Sequence, residues 1–286
     1  MKTQCFSSVV RVAFAVGMLI SGSTVMAGGN VTAANVNGQL QITGDGNGNS
    51  IQIQPGVVLT SIGGFKFRLI AGLQVAGLDG TTVNNKVSQV FTGINGGLQV
   101  QLNGGNDSLK LGFASGVTAI NGPVTVDMGA GTDRVDVLRV AIAGDARFRF
   151  GGSGDDQLIA DLLDVAGNLV AESDSGNDLI FLDANAINVG VSTSGGDDQV
   201  AVVLGTIDGI LSVETGAGRD EVALVDLDVI GAVIMATGFG SDTVELEDSR
   251  FGQIFVDLNG NDDSLLLDDV IVDGPAAFDG VTAQTH

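Results

Sequence analysis

The sequence predicts an all-β fold, a three-sided right-handed parallel β-helix (β-solenoid) with about 22 residues per coil. Three observations predict it. The short string Gly-x-Gly-x-Asp-x-apolar returns eight times, its shared aspartates being Asp107, Asp133, Asp156, Asp178, Asp198, Asp220, Asp242 and Asp263. Successive aspartates are 26, 23, 22, 20, 22, 22 and 21 residues apart, regular enough for one structural unit per repeat. Around each aspartate the apolar residues recur with period two, the pattern of strands with one buried face.

Each side of the coil can be read from one copy. At Asp220, Leu211 and Val213 form the first strand and Gly216-Ala217-Gly218-Arg219 the turn. Val222 and Leu224 form the second strand, and Leu227 and Val229 the third. The copy at Asp133 repeats this as Val124 and Val126, Val135 and Val137, then Val140 and Ile142. A glycine at Gly144, Gly167, Gly209, Gly231 and Gly274 marks the corner that returns the chain to its start. One such coil cannot bury its own inward side chains, so coils must stack with each strand parallel to its counterpart one repeat later. Right-handed winding follows from the general handedness of parallel crossovers. At about 4.8 Å per coil, roughly eleven or twelve coils would make a rod on the order of 50 to 60 Å long.

Outside residues 98–274 the register weakens. Residues 1–27 read as a cleavable signal peptide: Lys2 and Arg11 precede an apolar run from Val12 to Ile20, and small residues end at Ala27. The only cysteine, Cys5, lies within it, so the exported chain would have neither disulfide nor reactive thiol. Residues 28–97 are expected to form irregular coils and a cap, with Gly38 to Ile53 a degenerate coil carrying Asn49 at the aspartate position. Phe65 to Leu73 is less regular, and Thr81 to Asn85 reads as a loop. Residues 275–286 are expected to be a tail or second cap.

Composition narrows the partners. The formal net charge is -22, and the acidic excess belongs to the second half, where from Gly151 onward Arg219 and Arg250 are the only basic residues. Nucleic acid and anionic membranes need a positive footprint, so cations or basic surfaces are the expected partners. A hydrophobic content of 44% argues for an ordered core beneath that charge and against a disordered acidic chain. No apolar run in the mature chain is long enough to span a bilayer as a helix.

The string Gly151 to Ile159, GGSGDDQLI, resembles the hemolysin-type calcium-binding nonapeptide of RTX proteins. The resemblance implies calcium held by turn carbonyls and by the carboxylates of Asp107, Asp133, Asp156, Asp178, Asp198, Asp220, Asp242 and Asp263. It covers about nine residues per repeat, separated here by a further dozen, and glycine positions are replaced at Asn103, Asp174, Ser194, Asn259 and Asn261. A separate physical argument reaches the same ion: ionised aspartates stacked about 4.8 Å apart repel, and calcium takes oxygen ligands at about 2.3 to 2.6 Å. The doubled acids Asp155-Asp156, Asp197-Asp198 and Asp262-Asp263 add to it. Against it stands the plain corner, in which Gly, Asn and Asp suit tight turns and the aspartate accepts hydrogen bonds from main-chain amides. Asp161, Asp183, Asp226, Asp228, Asp248, Asp268 and Asp269 trace a further acidic edge, read either as a solvated rim or as a second cation edge.

No catalytic constellation stands out. His286 is the only histidine, Trp and Tyr are absent, and no phosphate-binding glycine loop precedes a helix. Arg134, Arg139, Arg147 and Arg149 form the one basic cluster, and their alternation with apolar residues places them on the solvent face of strands. The expectation is an exported, non-enzymatic repeat scaffold with a surface, matrix or adhesive role, with calcium as its candidate cofactor. A carbohydrate-active β-helix, lyase-like or hydrolase-like, is the alternative. A lateral groove lined by Arg or paired acids would favour the enzyme, and uniform coil faces the scaffold.

Overall fold

A computed structural model describes residues 28–61, 67–260, 262–280 and 282–285. The proposed signal peptide with Cys5, and His286, lie outside the described residues. The chain is an all-β parallel solenoid of about 8 turns spaced roughly 22 residues apart.

The coil that starts at Pro123 shows how the sequence makes a turn of the solenoid. Its first face is Val124–Ala130, in which Val124, Val126 and Met128 point inward and Thr125 and Asp127 outward. Its second face begins the strand Arg134–Ile142, with Val135 and Val137 inward. At Arg139 the backbone turns left-handed (φ 54°), and Val140 and Ile142 continue inward on the third face. Neighbouring coils repeat this in strict parallel register: Val126 pairs with Val100 before it and Phe148 after it, and Val137 with Leu111 and Ala160. Inward columns therefore stack like with like into one continuous core. Each fully buried Val, Leu or Phe contributes about 1.5 to 3 kcal/mol.

The three faces keep their register along the stack while their boundaries change. In the earlier coils the second and third faces form one bent strand, as in Arg134–Ile142 and Gln157–Val165. In the later coils the third face joins the first face of the following coil, as in Asp228–Ala236 and Arg250–Asp257. The corner between second and third faces is left-handed at Arg139, Leu162, Leu204, Asp226, Asp248 and Asp269, each six residues after a ladder aspartate. The other corner is narrow because the coils stack closely there. A methyl added to Gly231 would run into the carbonyl of Gly209.

Eleven or twelve coils were expected, and about 8 regular turns are present. The difference lies in the N-terminal portion. Gln39–Thr43 and the start of Ser50–Ser61 do pair in parallel with Leu98–Gln101 and Ser108–Gly112, so the degenerate coil at Asn49 is real. After that the chain leaves the solenoid path: Ser50–Ser61 and Phe67–Gly77 pair antiparallel from Ile51↔Gly77 to Ser61↔Phe67, and Ser88–Thr92 adds a further antiparallel strand. Asn30–Val36 likewise lies antiparallel on Gln39–Thr43. Of the polar run expected as a loop, Thr82–Val83 forms a short parallel pair with Asn30-Val31. At the far end Ala276–Asp279 and Thr282–Thr285 add a last parallel rung, so the tail extends the stack.

Candidate functional site

The eight repeat aspartates are brought together in one column, and it runs inside the solenoid. All eight are buried, between 1% and 4% exposed. The alternation explains this: counting back by twos from the inward Val137 and Val135 reaches Asp133. Each carboxylate accepts the main-chain N–H of the aspartate one coil earlier. Asp133 Oδ1 accepts from Asp107 at 2.7 Å, Asp156 from Asp133 at 2.7 Å, and Asp178 from Asp156 at 2.8 Å. Asp198 accepts from Asp178 at 2.8 Å, Asp220 from Asp198 at 2.9 Å, Asp242 from Asp220 at 2.9 Å, and Asp263 from Asp242 at 2.8 Å. At the N-terminal end Asp107 accepts from the N–H of Asn49 at 2.5 Å.

A second ladder, on the outside of the same turn, runs the other way. Here the residue before the aspartate accepts from the coil that follows: Asn106 from the N–H of Thr132, Asp155 from Asn177, Asn177 from Asp197, and Asp197 from Arg219. Two of the doubled acids, Asp155-Asp156 and Asp197-Asp198, thus serve both ladders, the first carboxylate binding the next coil and the second the previous one. The turn glycines permit the close stacking. At Gly131, Gly154, Gly176, Gly196, Gly218 and Gly240 a methyl would collide with the carbonyl of the corresponding glycine one coil before.

Electrostatics sets the inner column apart. The second oxygen, Oδ2, of Asp107, Asp133, Asp178, Asp198, Asp220 and Asp242 is buried without a hydrogen-bond partner. Burial pushes Asp107 and Asp156 up to about 7, and Asp133 and Asp198 up to about 6, against the opposing pull of the N–H each accepts. Asp178 and Asp220 are raised for the same reason. In the middle coils Ser173, Thr193, Thr215 and Thr237 form a parallel column of buried hydroxyls, Thr193 donating to the Thr215 carbonyl and Thr215 to that of Thr237.

Calcium can be tested against this geometry. It takes six to eight oxygens at about 2.3 to 2.6 Å, from carboxylates held charged. Asp133, Asp178, Asp198 and Asp220 each give one oxygen to an N–H and hold the other inside the core, and burial shifts them, with Asp107 and Asp156, towards the protonated form. Among the described residues no three Asp, Glu, His or Cys side chains converge where a metal ion could sit. In this arrangement the inner aspartates bind the N–H groups of the neighbouring coil, where the resemblance implies calcium. Their close spacing is met by burial, which favours the neutral acid, and by the N–H of the neighbouring coil.

The further acidic edge separates into two settings. Asp226, Asp248 and Asp269 occupy the left-handed corner of successive coils and line an open recess of about 460 Å³ with Thr206, Asp228 and Arg250. Arg250 is paired there with Asp273 at 2.8 Å. Asp161 and Asp183 lie on the second face, and burial raises Asp183, with the charge of Asp161 adding to the shift. The basic cluster does not converge. Arg147 and Arg149 point outward from the first face, Arg147 bound to Glu172 at 2.6 Å. Arg134 lies on the second face, and Arg139 sits at the left-handed corner.

Compared with protein families, curated proteins and solved structures, the chain matches none. Among the described residues no helix is long and apolar enough to cross a membrane.

Proposed function

We propose that the protein is an exported, non-enzymatic repeat scaffold, a stiff acidic rod with a surface, matrix or adhesive role, whose turns are closed by hydrogen bonds and not by calcium. One observation carries this reading. The residues that define the repeat, the turn glycines and the aspartate, bind one coil to the next instead of converging on a site. Such a chain gains stiffness from nearest-neighbour contacts repeated along its length. The acidic surface of the later coils favours cations or basic surfaces as partners, through long-range attraction that salt weakens. Export would follow from the proposed signal peptide of residues 1–27.

The test is incubation of the exported chain with a panel of neutral and acidic polysaccharides, with and without calcium, following reducing ends and unsaturated products. The scaffold reading expects none above background. Sustained turnover would overturn it in favour of a carbohydrate-active β-helix.

A further inference from the structure

The repeat with the longest spacing builds a recess of its own. Asp107 and Asp133 are 26 residues apart, four more than the common 22. The extra residues fall at the corner between the second and third faces. Elsewhere a left-handed residue such as Arg139 turns that corner, whereas here Gly112 turns (φ 96°) and a loop follows before Thr118 rejoins the stack. The loop closes on itself through a Phe113↔Gly116 bridge. Insertions in solenoids commonly furnish the walls of binding surfaces.

Beside the loop lies a recess of about 400 Å³ on the outward side of the second face. Its floor follows from register. Gln52, Lys110, Asp136 and Ile159 form one outward column across successive strands, and Leu138 and Asp161 are neighbours in the next. Phe113 forms part of the wall. The charges are not equivalent. Arg134 grips Asp136 through Nε at 3.0 Å and Nη2 at 2.5 Å and reaches Gln157 through Nη1, which neutralises the middle of the floor. Lys110 is exposed and has no hydrogen-bond or ion-pair partner among the described residues. Asp161 stands two coils away, about 10 Å at the spacing of parallel strands.

We propose that this recess binds a saccharide bearing a carboxylate, a uronate unit within a short glycan. Lys110 meets the carboxylate, Phe113 and Leu138 contact the apolar face of the ring, and Gln52 and Asp161 take up hydroxyls towards the far end. The size suits one or two sugar units, since small-ligand sites span about 300 to 1,000 Å³. Repulsion of an acidic glycan is weakest here, where basic and acidic side chains balance, and stronger in the acidic coils that follow. Residues 98–150 carry five basic and five acidic side chains, whereas residues 151–286 carry two and 27. The proposal goes beyond the scaffold reading and does not rest on it.

The experiment is titration calorimetry of the full exported chain with oligogalacturonate and alginate oligomers, beside neutral cello- and malto-oligosaccharides of equal length. At least one acidic oligomer is expected to bind, and its affinity to fall about tenfold in Lys110→Gln, the factor that about 1.4 kcal/mol represents. It should also fall in Phe113→Ala and as salt is raised. Arg219→Gln, in the acidic half, is expected to change nothing. Both Lys110 and Arg219 are exposed, so circular dichroism should confirm intact folding. The proposal is overturned by no binding of acidic oligomers at millimolar concentration, by equal binding of neutral ones, or by an affinity indifferent to Lys110→Gln. Release of cleaved products would contradict the non-enzymatic reading while leaving the site in place.

Discussion

The N-terminal portion, residues 28–97, and the regular stack that follows share the same apolar alternation but are closed in different ways. In the stack each coil brings an aspartate that accepts an N–H of the coil before it. In the N-terminal portion Asn49 stands at that position, and its side-chain amide instead bonds the carbonyl of Asn47 in its own turn. The ladder therefore has a direction. A carboxylate is useful only where an earlier coil offers an N–H, and among the described residues no coil of the parallel stack precedes the one that carries Asn49. The chain there turns back antiparallel, so the parallel stack ends on short or antiparallel strands that do not invite further parallel coils.

That contrast can be broken by substitution, beginning with the largest effect. Gly218→Ala places a methyl against the carbonyl of Gly196 and should cost at least about 2 kcal/mol in denaturant unfolding, whereas Gly190→Ala, with open space around it, should be neutral. Asp198→Ala leaves the buried N–H of Asp178 without its acceptor and should cost about 1 to 3 kcal/mol. Asn49→Ala removes a bond within one turn and a side-chain contact with Asp107, leaves the main-chain N–H to Asp107 in place, and should cost less than about 1 kcal/mol; a cost as large as that of Asp198→Ala would erase the proposed direction. Asp198→Asn keeps the accepting oxygen without a titrating group, so its loss should be smaller than for Asp198→Ala and should shrink as pH rises from 5 to 8. All five variants can be read by urea denaturation monitored by circular dichroism.

The sequence made the solenoid legible because period-two apolar residues and a constant spacing leave stacking as the only way to bury the coil. The inward column at Val124, Val135 and Val140 followed directly. It also showed which eight aspartates belong together. Their orientation was less legible, since aspartate at a turn is ordinarily read as facing water. The signal was present in the parity, which puts Asp133 on the same side as Val135. The doubled acids were ambiguous because Asp155 and Asp156 use one chemistry in two opposite directions. The hairpin from Ile51 to Gly77 was missed although Gly63-Gly64, between Ser61 and Phe67, is a dipeptide that antiparallel returns favour; in a chain with 44 glycines it did not stand out. The recess at Phe113 left only a trace, the four extra residues between Asp107 and Asp133.

The repeat aspartates are buried acids that close a hydrogen-bonded ladder. A carboxyl whose folded pKa is raised stabilises the fold fully below its unfolded pKa, near 3.8, and loses that contribution as pH rises through the folded value. With folded values of about 6 to 7 at Asp107, Asp133, Asp156 and Asp198, the loss falls mainly between about pH 4 and 7. The direct measurement is therefore Tm against pH from about 4 to 8, once with a chelator and once with millimolar calcium. The two curves should coincide and fall as pH rises. A Tm that climbs with pH and is lifted further by calcium would instead mean that the aspartates are charged metal ligands, and would contradict the account.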